Sequence, residues 1–86
     1  MPEISRFFGI VIKMFFDDHN PPHFHAEYSG YFALVDIRTL STLSGHLPPR
    51  VMGLVIEWAT IHKEELFADW ERAQAQQELQ KIAPLE

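Results

Sequence analysis

The chain has 86 residues with 47% apolar content, which fits one domain with one modest core. It carries 7 basic and 12 acidic residues, a formal charge of −5, and no cysteine. Disulfides and thiolate metal sites are thereby excluded, a reducing, cytoplasmic setting is expected, and the charge balance argues against a general nucleic-acid binder, whose affinity comes mainly from neutralising phosphates.

The N-terminal run MPEISRFFGIVIKMFF is interrupted by Lys13 and lacks a small-residue cleavage site, so no secretory signal is expected. No stretch approaches the ~20 apolar residues that span a bilayer, so no membrane partner is expected. Within that run, "FFGIVIKMFF" (residues 7–16) is aromatic and β-branched and is bounded by Asp17-Asp18, which predicts a strand. Alternation places Phe8, Ile10, Ile12, Met14 and Phe16 on one face, and Phe7, Gly9, Val11, Lys13 and Phe15 on the other. Both faces are apolar, so one should meet a helix and the other a second cover, for which a subunit partner is a plausible source.

"HFHAEY" (residues 23–28) alternates more cleanly, with Phe24, Ala26 and Tyr28 opposite His23, His25 and Glu27. Ser29-Gly30 signals a tight hairpin into "YFALVDI", residues 31–37. A short further strand is expected over 42–45, after a turn at 38–41. From Pro48 the period becomes helical, with Val51, Leu54, Val55, Trp58, Ile61, His62, Leu66 and Trp70 on one stripe. Pro48-Pro49 suits a helix start and Pro84 sets the latest stop. Trp58, Leu66 and Trp70 read as core, and Glu64, Glu65, Asp69 and Glu71 as a solvated face.

The expected fold is therefore α+β: an antiparallel β-meander of three or four strands followed by one long C-terminal α-helix packed on one sheet face. Residues 1–72 form the domain. Residues 73–86, rich in Ala and Gln with a thin apolar stripe, form a helical extension or a frayed tail.

The chemistry concentrates in "DDHNPPHFH", residues 17–25. Residues two apart on a strand point the same way and lie ~6.6 Å apart at Cα, so His23 and His25 form a possible bidentate pair. Glu27 is too far along the strand to join both, which leaves His19 or Asp18, swung in from the turn, as the third ligand. Three N/O ligands with an open position describe a catalytic zinc, manganese or similar divalent site, and Asn20-Pro21-Pro22 stiffens the turn. The same residues permit metal-free proton transfer by a neutral histidine oriented by Asp17 or Asp18. They also permit a plain turn with a polar strand face. His62 and His46 read as boundary residues.

"FFDDHNPPHFHAEYSG", "GHLPPR" and "VIEWATIHKEELFADWERA" together resemble the prokaryotic domain-of-unknown-function family 4160, over a span from Pro2 to about Arg72. The Asp18-His19-x-Pro21-Pro22-His23-Phe24-His25 core carries most of that resemblance, and the chain departs from it at "RTLSTLSG". The resemblance implies a short single-domain chain that sits beside another small domain, in an arrangement resembling toxin–antitoxin modules. It implies a protein partner, and not which half of the pair this chain supplies.

Three functions follow as expectations. The first is an interaction module that pairs with itself or with a small neighbouring gene product through the second sheet face or the tail. The second is a small metal-dependent hydrolase or nuclease using His19, His23 and His25, with Asp18 at hand. The third is RNA contact through Arg6, Lys13, Arg38 and Arg50.

Overall fold

The first apolar run folds back on itself at Phe8-Gly9. A computed structural model describes residues 2–86, and in it both turn residues have positive φ, 51° at Phe8 and 79° at Gly9. Two successive left-handed residues match the twist of a tight hairpin. They divide the run into β1 (Glu3–Phe7) and β2 (Ile10–Lys13), which pair antiparallel. The single strand expected over 7–16 is therefore corrected to a hairpin. The turn also puts Phe7 in the core with Ile10, Ile12 and Met14, and leaves Phe8 exposed at the tip.

The chain continues as β3 (His23–Tyr28), β4 (Tyr31–Asp36) and β5 (Thr42–His46), giving one antiparallel sheet in chain order. The count is five strands where three or four were expected. Ser29 and Gly30 again supply two positive-φ residues at the β3–β4 turn. One cross-sheet row, Ile12–Ala26–Ala33–Gly45, belongs to the buried face. The neighbouring row, Lys13–His25–Leu34–Ser44, belongs to the opposite face. The β4–β5 register shifts between Leu34 and Val35.

Two helices follow, α1 (Pro49–Ile61) and α2 (Lys63–Gln74), in place of one long helix. Pro48 is the N-cap and Pro49 the first helical residue, where a missing N–H costs nothing. His62 breaks the run at φ −110°, ψ 25°. As one straight rod, residues 49–74 would extend about 39 Å. The molecule is 33 Å in its longest dimension, shorter than such a rod. Trp58 of α1 is fully buried and packs on Phe7 and Phe24, with ring centroids 5.3 and 5.9 Å away. Leu66, Trp70 and Ala73 carry the core into α2.

Only residues 73 and 74 of the C-terminal segment are helical. The rest returns along β1 as an extended strap. The Ile82 amide donates to the Ile4 carbonyl at 2.8 Å, Lys81 Nζ to the Glu3 carbonyl at 2.9 Å, and Trp58 Nε1 to the Ala83 carbonyl at 2.8 Å. Ile82 is buried, and Leu79 and Leu85 pack on the core. Asp69 was expected on a solvated face but is fully buried. Its Oδ1 accepts from Arg72 at 2.7 Å and from the Gln80 amide at 2.9 Å, which pins the strap to α2.

Gly45 is the tightest point of the sheet. It sits at φ 80°, and a Cβ there would lie 2.3 Å from the Phe32 carbonyl oxygen and 2.9 Å from Ala33 Cα. Gly45→Ala should lower unfolding free energy by about 2 kcal/mol or more, since left-handed strain adds to a backbone clash. Urea denaturation checks this, and Gly53→Ala, inside α1 with nothing within 4 Å of the new methyl, is the contrasting control, expected to stabilise by about 0.5–1 kcal/mol.

Candidate metal centre

The β2–β3 loop brings the chemistry together. At its start, the Met14 amide donates to the Pro2 carbonyl at 2.9 Å; at its end, the Ile37 amide donates to the Pro22 carbonyl at 3.0 Å. Between these ties the chain passes Asp17-Asp18-His19-Asn20 and the two prolines, with a cis bond between Asn20 and Pro21. It then enters β3 at His23, opposite Asp36 of β4. Asp36 Oδ1 accepts the backbone amides of Arg38 and Thr39, which holds the adjoining β4–β5 turn.

His23 and His25 do project to the same side. Both Nε2 atoms reach one oxygen, Asp18 Oδ2, at 3.3 and 2.9 Å. The three ligand atoms lie within 4.8 Å of one another, and this is the group of Asp18, His23 and His25 in which an ion could be held. Ligands about 2.0–2.2 Å from a tetrahedral zinc are about 3.3–3.6 Å apart, a spacing that the two nitrogen–oxygen separations of 3.3 and 2.9 Å approach.

The tautomer of His23 is fixed by its other nitrogen. Nδ1 lies 2.8 Å from the Pro21 carbonyl oxygen, which only accepts, so Nδ1 carries a proton and donates. In a neutral ring, Nε2 then presents a lone pair toward the Asp18 carboxylate. Two electron-rich atoms then lie 3.3 Å apart, an arrangement that a metal ion bound between them would favour. A metal-ligating histidine ordinarily donates its remote N–H to a carbonyl or carboxylate in just this way.

The surroundings are half apolar. Trp70 of α2 lies against the His23 ring at 5.3 Å, and Phe15 meets His25 edge-on at 4.6 Å. The His23 side chain is 10% exposed, against 21% for Asp18 and for His25, so solvent reaches the cluster from the Asp18–His25 side.

The remaining expected site residues lie elsewhere. His19 is exposed and stands outside the cluster, while Asp18, the other residue expected from the turn, stands inside it. Glu27 pairs with Lys13 across the strands at 3.1 Å. Arg6 pairs with Glu3 at 2.8 Å, and this hydrogen bond holds the Glu3 carboxyl below the usual range. Arg38 lies in the β4–β5 turn and Arg50 in the first turn of α1, both exposed, so the four cations occupy four separate parts of the fold and two of them are paired. His46 is exposed near Tyr31, and His62 sits between Trp58 and Glu65.

Sequence reasoning did not find the Pro21 carbonyl, Trp70 or Gln74 as parts of this centre. Gln74 Nε2 donates to the Asp18 carbonyl at 3.1 Å from 56 residues away. Nothing in an Ala/Gln run marks that contact.

The fold and the cluster define a small α+β chain with a two-histidine, one-carboxylate constellation at the head of its third strand. The chain belongs to the family described as Domain of unknown function (DUF4160), whose model matches residues 9–71 and so contains the whole cluster. Comparison with curated proteins and with solved structures gives no match.

The His23 tautomer is directly testable. Long-range proton–nitrogen spectra of the metal-free protein at neutral pH should show His23 protonated at Nδ1, and Pro21 is the residue whose carbonyl should sense it. A His23 ring protonated at Nε2 alone would contradict the geometry.

Proposed function

We propose that this protein binds one divalent transition-metal ion through Asp18 Oδ2 and the Nε2 atoms of His23 and His25, as a small metal-dependent centre suited to hydrolytic chemistry. One observation carries the reading: a single carboxylate oxygen is approached by two imidazoles, and one of these has its other nitrogen committed as a donor to Pro21. Neutral imidazole and carboxylate ligands suit zinc, manganese and iron(II). Three protein ligands leave a further position for water, and a bound ion of this class lowers the pKa of that water toward neutrality.

Elemental analysis of protein purified without a histidine tag should give one such ion per chain. Asp18→Ala, His23→Ala and His25→Ala should each abolish it, whereas His19→Ala should retain it. With Zn²⁺ or Mn²⁺ at 100 times its dissociation constant, unfolding should be opposed by about 2.7 kcal/mol more than in chelator. Metal-free protein with an unchanged melting temperature in both ions would overturn the reading.

A second reading has its own support. The two hairpin tips meet at the opposite end of the sheet, where Phe8, Tyr31 and Phe32 are 60%, 46% and 55% exposed. They flank an open depression of about 360 Å³ whose lining includes Val11, Glu27 and Tyr28. Exposed aromatics beside a concavity favour a protein interface, with a second copy or with the product of a neighbouring gene, as in a toxin–antitoxin-like pair. Light scattering should then show a species larger than the 10.0 kDa chain, alone or with that product, and Phe8→Ser with Phe32→Ser should dissociate it. A monomer that also fails to capture the neighbouring product would remove this reading.

A further inference from the structure

Asp18 is the one ligand of the proposed centre that lies on a loop. The backbone of residues 15–20 has no strand partner, and among the described residues its hydrogen bonds from outside the loop come from two glutamines of the C-terminal segment. Gln74 Nε2 donates to the Asp18 carbonyl at 3.1 Å; Gln76 Nε2 approaches the Phe16 carbonyl at a longer 3.5 Å. Trp70 and Gln74 are four residues apart on α2 and so share a helix face. The first lies against His23 and the second holds Asp18. One helix face thus touches two of the three ligands, one through a ring and one through the peptide.

The end of α2 is itself fixed. Ala73 is fully buried, and Asp69 anchors the strap one turn earlier through the Gln80 amide. Gln74 therefore reaches Asp18 from a rigid element, which is what aligning a loop-borne ligand requires. It also lies beyond residue 71, where the match to the family model ends.

Resting on the metal-binding reading, we infer that Gln74 is a positioning residue for the centre: its amide orients the Asp18 peptide, and through it the carboxylate, toward His23 and His25. The Gln74 side chain is exposed, so its removal should leave the metal-free fold intact. Loss of an outer-sphere partner costs about 10–100-fold in metal affinity, and an indirect, solvent-accessible contact belongs at the lower end, about tenfold.

The test is Zn²⁺ titration of the full chain against a competing chelator, for the wild type, Gln74→Ala, Gln74→Met and the control Gln77→Ala, with metal-free melting temperatures recorded alongside. Gln74→Met keeps the length of the side chain and removes the donor. Both Gln74 variants should bind about tenfold more weakly with unchanged metal-free melting temperatures, and their Co²⁺-loaded forms should show an altered visible spectrum because one ligand is displaced. Gln77→Ala should match the wild type in all three measurements. If the wild type binds and the Gln74 variants bind equally well, or if Gln77→Ala loses as much affinity, the inference fails while the metal centre stands. If the wild type binds neither Zn²⁺ nor, in the same titration, Mn²⁺, both fail together.

Discussion

The hydrogen bond from His23 Nδ1 to the Pro21 carbonyl sets the character of the cluster. Its net contribution to stability is of the usual order, about 0.5–1.5 kcal/mol. Its chemical effect is larger, because it decides which nitrogen faces Asp18. The two prolines serve it in sequence. Pro21 supplies the carbonyl, and Pro22 gives its own carbonyl to Ile37, so the turn is tied to the end of the sheet just where the ring must be held. With φ fixed at two successive residues, this carbonyl has little freedom to turn away.

The cluster lies directly against the core. The core is built from Ile10, Ile12, Phe24, Val35, Val55, Trp58 and Leu66, all fully buried. Trp70 joins the two regions, contributing to the apolar cluster while its ring lies on His23. That contact keeps water from one side of the imidazole, which strengthens electrostatic interactions there. The open side, toward Asp18 and His25, is left for exchange with solvent. A centre of this kind sits at the margin of a small domain because the chain has too little interior to enclose it.

Much of this arrangement could be read from the sequence where the signal is local. The alternation in HFHAEY gave the bounds of β3 and the shared side of His23 and His25, and Ser29-Gly30 gave the hairpin after it. The turn offered both Asp18 and His19, and the expected ligand set used His19; adjacent residues differ only in direction, and the structure brings Asp18, not His19, to the two histidines. The first hairpin was hidden because Phe8 looks like any strand residue; Gly9 was the only mark of the turn. The break at His62 had no Gly or Pro to announce it. The strap was out of reach of any window, since the Lys81–Glu3 contact joins residues 78 apart. Buried Asp69 looked like one more acid of a wet face until Gln80 was found beside it.

The two edges of the sheet are finished differently. The strap lies along β1 and occupies the Ile4 and Glu3 carbonyls. At the far side β5 is exposed over all five residues, with no Lys, Glu, Asp or Pro to repel a neighbouring strand. Strand addition therefore meets an open edge at β5 and a partly occupied one at β1, an asymmetry that favours a closed pair over a propagating filament.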